Sequence, residues 1–164
     1  MQKINNLQIY TDGGSRGNPG PAAIGVYAVR PAAEIEQVFD LQSPVPRNGS
    51  DLNGSEIIFQ LSEPIGETTN NVAEYTAPIK ALEYLVKNNI QAKQINFYLD
   101  SELVVKQIKG EYKVKQPHLQ TLALQVHQLF RQLKFSQINF HYIPREQNKL
   151  ADALVNQALD THSK

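Results

Sequence analysis

Gln8-Ile9-Tyr10-Thr11-Asp12-Gly13-Gly14-Ser15-Arg16-Gly17-Asn18-Pro19-Gly20-Pro21, followed by Ala23-Ile24-Gly25-Val26-Tyr27-Ala28-Val29, decides the class of this fold. Gln8 to Thr11 reads as a strand ending at Asp12. The glycine-rich run after it reads as a turn with several positions free to take positive φ. Residues 23–29 then read as a second strand, limited by Pro31. A glycine-rich turn behind a strand can cradle phosphate. Here no Gly-Lys-Ser/Thr follows, and the next element is a strand, so neither a Walker loop nor a dinucleotide-binding turn fits. What the turn offers is close backbone approach of a ligand at Gly13, beside Asp12. The plainer reading is a tight hairpin.

Working outward, residues 32–55 hold Pro44, Pro46, Gly49 and Gly54 among scattered polar residues and read as an extended loop or frayed hairpin. Glu56 to Leu61 reads as a third strand. A helix capped by Asn70 or Asn71 carries Leu82, Leu85 and Val86 inward at helical spacing. Pro78 lies inside it, so a kink just after Glu74 is expected. Gln94 to Leu99 is a fourth strand. It is followed by a helix with Leu103, Val104, Gln107 and Ile108 on one side, stopped by Gly110. Another helix starts near Pro117 and runs through Leu122, Val126, Leu129 and Leu133. Ile138 to Ile143 is a fifth strand, and a last helix capped by Asn148 buries Ala151, Leu154, Val155 and Ala158. The order β-β-β-α-β-α-α-β-α implies an antiparallel meander followed by helix-crossed strands. The expected fold is α/β, a five-stranded mixed sheet flanked by helices, in a single domain over residues 1–164.

The chain's 164 residues are 41% apolar and 20% charged, with zero net charge and no cysteine. Disulfides, thiolate metal sites and a cysteine nucleophile are excluded. No apolar run reaches the ~18 residues of a membrane span, and the N-terminus lacks a signal pattern. A soluble, cytoplasmic protein without a membrane partner is expected. Zero net charge speaks against a nucleic-acid binder. Its distribution speaks less so: between 101 and 151, basic residues outnumber acidic ones eight to three.

Four carboxylates lie in four separated motifs: Asp12 in Thr11-Asp12-Gly13-Gly14, Glu74 in Thr69-Asn70-Asn71-Val72-Ala73-Glu74, Asp100 in Leu99-Asp100-Ser101, and Asp152 in Asn148-Lys149-Leu150-Ala151-Asp152. Alone, Asp100 could be a helix cap, and Glu74 an acid favoured by a helix dipole. Asp152 sits one position from the buried stripe of its helix, at the edge of the core. If the four converge, like charges 4 Å apart repel by roughly 4 kcal/mol even at an effective dielectric near 20. Protons or divalent ions must then neutralise them, and an all-oxygen site suits Mg²⁺. His118 and His141 have no zinc-ligand spacing, and Ser15 and Ser101 have no nearby base.

Taken together and in order, these motifs resemble type 1 ribonuclease H over nearly the whole chain. The resemblance implies a ribonuclease H-like fold and a monomeric, metal-dependent endonuclease. Such an enzyme cuts the RNA strand of RNA–DNA hybrids to 5′-phosphate and 3′-hydroxyl ends. It implies that Asp12, Glu74, Asp100 and Asp152 hold two Mg²⁺, for which Mn²⁺ can substitute. It further implies that Asn18, Asn70 and Asn71 contact the hybrid in its minor groove, and that Thr69 binds a DNA-strand phosphate. The sequence departs from the family pattern in three places. Arg145 stands where members commonly carry a loop histidine, with His141 as the rival. The basic, tryptophan-rich handle is missing, as in the branch found among archaea and many bacteria, leaving Lys113 and Lys115 to contact substrate. Residues 32–55 are longer than usual. Two alternatives stay open: a same-fold nuclease acting on double-stranded RNA, and a non-catalytic nucleic-acid-binding module.

Overall fold

In the computed structural model, which describes residues 4–32 and 54–162, the chain forms one five-stranded mixed sheet. Its strands are β1 (Ile4–Ser15), β2 (Gly20–Arg30), β3 (Glu56–Thr68), β4 (Ala92–Leu99) and β5 (Gln137–Tyr142). Their order across the sheet is β3-β2-β1-β4-β5. β1 pairs antiparallel with β2, and β2 with β3, while β4 runs parallel to β1 and β5 parallel to β4. This is the mixed sheet expected from the element order. The loop reading of residues 32–55 falls mostly outside the described residues.

Four helices flank the sheet among the described residues: α1 (Asn70–Lys87), α2 (Glu102–Ile108), α3 (Pro117–Gln132) and α4 (Lys149–His162). Strand alternation sorts the side chains of β1 and β4 onto two faces. Leu7, Ile9, Ile95 and Phe97 face α1 and α3, and meet Leu82, Leu85 and Val126 in the main core. Phe97 stacks on Phe140 of β5 at 4.7 Å. Burying each such side chain is worth roughly 1.5–3 kcal/mol. α4 covers the other face over β1–β3, where Val155, Ala158 and Leu159 pack on Ala23.

Several local expectations are corrected. β1 does not end at Asp12, because its ladder with β2 continues to Ser15 opposite Ala22. The glycine-rich run is therefore mostly strand, and within it only Gly17 has positive φ, at 95°. Gly13 is needed for space: a Cβ there would lie 2.1 Å from the Ala73 carbonyl oxygen of α1. β3 runs on to Thr68 with Pro64 inside it, which an edge strand tolerates. α1 does begin upstream of Pro78, but its cap is Thr69, whose hydroxyl accepts from the Val72 N–H at 3.3 Å. Leu103 is 42% exposed, and α2 instead buries Val104, Val105 and Ile108. No described helix is long and apolar enough to cross a membrane.

Candidate active site

Asp12 lies on β1 and Asp100 directly follows β4. The parallel register pairs Thr11 with Leu99, so the two acids leave neighbouring strands at the same level. The Gly13 N–H donates to Asp12 Oδ1 at 2.9 Å and fixes that carboxylate. Because Gly13 lacks a side chain, the first turns of α1 press onto β1 there, which brings Glu74 beside Asp12. Ser101, not Asp100, caps α2, accepting from the Val104 N–H at 3.3 Å. The capping reading of Asp100 is thereby removed. Asp152 sits in the first turn of α4, where the helix dipole favours an acid.

All four acids line one cleft of about 290 Å³, together with Ser15, Arg16, Asn70, Arg145 and Asn156. Burial first, then the charges of Asp100 and Asp152, push the Asp12 carboxyl up to about 8, against the opposing pull of the Gly13 N–H. Burial also raises Glu74, opposed by a hydrogen bond from Ser101. Asp100 is raised mainly by burial, opposed by hydrogen bonding from Asn148 and by the Arg145 charge. Three acids with raised proton affinity share one cleft, raised first by burial and then by one another's charge.

Amide side chains hold the frame. Asn70 donates to Glu74 Oε1 at 3.1 Å and accepts from the Ser15 N–H at 3.2 Å, so it ties α1 to β1. Asn18 Oδ1 accepts from the Asn70 N–H at 3.0 Å. Asn148 is 1% exposed and was expected to cap α4 with its side chain. Its amide instead donates to the Thr11 carbonyl at 2.9 Å.

The remaining candidates are spread differently. Arg145, in a short 3₁₀ turn (Arg145–Gln147), lines the cleft. His141 does not: its Nε2 lies 3.0 Å from Asn96 Oδ1, and its ring stacks on Tyr98. Asn71 is half-buried in the first turn of α1, outside the cleft lining. Lys113 and Lys115 are exposed on the loop after α2. His118 is exposed on α3. Arg16 and Asn156 were not anticipated as cleft residues. Arg16 carried a signal, as the one basic residue inside the glycine-rich motif, whereas Asn156 on a helix carried none.

The donor set is all oxygen and suits a hard divalent cation. Among the described residues, no three Asp, Glu, His or Cys side chains close into a ready cage. An open cleft of carboxylates still fits Mg²⁺, which keeps several waters and uses few protein ligands together with substrate phosphates.

Residues 53–158 match the reverse transcriptase-like family. The chain is 39% identical over 152 residues to a bifunctional protein of Mycobacterium tuberculosis, covering 93% of this chain and 35% of that protein. It is 34% identical over 154 residues to ribonuclease HI of Halobacterium salinarum, covering 94% of this chain and 64% of that protein. The chain thus spans about a third of the mycobacterial relative and under two thirds of the halobacterial one. Among solved structures, LC11-RNase H1 in complex with an RNA/DNA hybrid superposes with a TM-score of 0.75 at 38% identity, covering 96% of this chain and 99% of that one. With this fold, these motifs and these relatives, the chain belongs to the reverse transcriptase-like family and, within it, is a ribonuclease HI-like protein.

Proposed function

We propose that this chain is a metal-dependent endoribonuclease that hydrolyses the RNA strand of RNA–DNA hybrids, leaving 5′-phosphate and 3′-hydroxyl ends. The observation that carries the reading is the convergence of Asp12, Glu74, Asp100 and Asp152, from four elements, on one cleft. The structural relative bound to an RNA/DNA hybrid supports the substrate class.

In this reading the four acids hold two Mg²⁺ ions, with Mn²⁺ as a substitute. When bound, such ions activate water for in-line attack on phosphorus and stabilise the departing oxygen. The chain's own residues supply position. The Gly13 N–H orients Asp12, Asn70 orients Glu74, and Asn148 orients Asp100. Arg145, which lines the cleft, holds a phosphate by charge-assisted hydrogen bonds and cannot act as a base at neutral pH. Thr69 accepts from Val72 yet keeps its own O–H for a DNA-strand phosphate. Asn18, Asn70 and Asn71, around the start of α1, read the minor groove, where the 2′-hydroxyl distinguishes RNA. Lys113 and Lys115 add backbone attraction. All four acids come from one chain, which supports a monomer as the working unit.

The test is cleavage of an end-labelled RNA–DNA hybrid in Mg²⁺, with and without chelator, beside double-stranded and single-stranded RNA. Metal-dependent cutting of the hybrid's RNA strand supports the reading. Folded protein that cuts nothing in Mg²⁺ or Mn²⁺ points to a binding module instead.

A further inference from the structure

Two cations line the cleft with its acids. Arg145 is one. Arg16, between β1 and β2, is the other and lines the same cleft. Its backbone is fixed: the Arg16 N–H donates to the Pro21 carbonyl at 2.8 Å, and Gly20 packs so closely that a Cβ would lie 2.1 Å from the Arg16 carbonyl oxygen. From this footing the guanidinium reaches across to α4 and pairs with Asp160 Oδ1 at 2.6 Å.

Asp160 is poorly placed for helix stability. It lies in the last turn of α4, where the dipole disfavours an acid. The pair itself is open to water, its side chains 44% and 68% exposed. Such pairs contribute about 0–1 kcal/mol, so breaking this one costs little. A phosphodiester backbone brought beside four carboxylates needs cations close by, and arginine suits phosphate through its fork of donors.

We propose that Arg16 is a phosphate contact for the nucleic-acid duplex, parked on Asp160 in the free protein and exchanged onto the substrate backbone on binding. This rests on the hybrid-nuclease reading above. Asp160 then acts as a competitor for the guanidinium, so the two residues affect substrate binding in opposite directions. A structural clamp would give both the same sign.

The experiment compares the wild-type chain, Arg16→Ala, Asp160→Asn and the double variant, in hybrid cleavage with Mg²⁺ and in metal-free hybrid binding. Loss of one charge-assisted phosphate contact should raise KM about tenfold in Arg16→Ala. Turnover should hold within about twofold, the pattern of lost uniform binding. Releasing the guanidinium in Asp160→Asn should lower KM about two- to fivefold, and that gain should vanish in the double variant. Equal weakening by both single variants, or a gain from Asp160→Asn that persists without Arg16, overturns the exchange. A wild-type chain that binds hybrid but does not cut it overturns the nuclease reading alone, and the metal-free Kd values then decide on Arg16 by the same signs.

Discussion

Asn148 donates its side-chain amide to the Thr11 carbonyl at 2.9 Å, so the residue just ahead of α4 is bonded to the middle of β1, one position from Asp12. The same side chain hydrogen-bonds Asp100. One buried amide therefore sets the spacing of groups on β1, β4 and α4. Its own carbonyl oxygen is buried without a hydrogen-bond partner among the described residues. An orphan of this kind costs about 1–3 kcal/mol, so stability alone gives no reason for an asparagine here.

Asn148→Ala therefore separates positioning from stability. It removes a good hydrogen bond and an orphaned acceptor together, and the two effects oppose each other. Stability should move by less than ~2 kcal/mol in a urea melt. The Mg²⁺ concentration for half-maximal cleavage should rise several-fold, since Asp100 loses its tether. A large stability loss with an unchanged Mg²⁺ requirement would make Asn148 a strut and nothing more.

The raised carboxyls make the metal-free protein sensitive to pH. The Asp12 carboxyl is raised from 3.8 to about 8 by burial and by its acidic neighbours, so the folded chain holds this proton more tightly than the unfolded chain. Between those values the native state binds more protons, and stability must fall as pH rises, levelling off above about pH 8. Glu74 and Asp100 add the same sign. Melting temperatures recorded without metal from pH 4 to 9 should decline across this window, and less steeply in Asp12→Asn. Added Mg²⁺ should restore stability most at the alkaline end. A flat profile in the wild type would contradict the crowding of charge in the cleft.

Much of this was legible in the chain because each acid lies next to a residue with a clear local role. Gly110 and Pro117 marked helix ends, and two strands in succession at residues 8–29 forced an antiparallel start. The order of motifs carried the site. What was not legible depends on contact between distant residues. The glycines at 13 and 14 read as a turn, since composition cannot distinguish conformational freedom from the space an approaching helix needs. Asn148 read as a cap, and it does hold that position, its backbone carbonyl accepting from the Asp152 N–H at 3.1 Å; local sequence cannot show that its side-chain amide donates to β1 instead of its oxygen closing the cap. Leu103 read as inward on helical spacing, yet a seven-residue helix turned to bury Val104, Val105 and Ile108 leaves it in water.

Asp100→Asn should abolish cleavage while leaving the fold in place, since its neighbour Ser101 provides the α2 cap. It also removes a charge that raises the proton affinity of Asp12 and Glu74. Hybrid binding without metal should therefore stay similar or tighten. Filter binding or fluorescence anisotropy in chelator, beside a cleavage assay, measures both. Parallel loss of binding and folding would remove Asp100 from the catalytic assignment.

Arg145 and His141 compete for the place of the family's loop histidine, and their surroundings differ enough to separate them. Arg145 lines the cleft and acts on the Asp100 charge. His141 is committed elsewhere, bonded to Asn96 at 3.0 Å and stacked in a row with Tyr98 and Tyr10 across three strands. Its level on the sheet, beside Tyr98 and Tyr10, leaves it outside the lining of the cleft. Arg145→Ala should therefore lower kcat about tenfold or more, as expected for a lost charge-assisted contact to a phosphate in the transition state. Its effect on KM should be smaller. Arg145→Lys should recover part of the loss, since the charge remains while the paired donors are gone. His141→Ala should leave kcat and KM near wild type and lower the melting temperature slightly, through the lost stack and hydrogen bond. Steady-state kinetics on one hybrid substrate settles the choice: a drop in kcat confined to His141→Ala would move the proton-handling role to β5 and leave Arg145 as a surface residue.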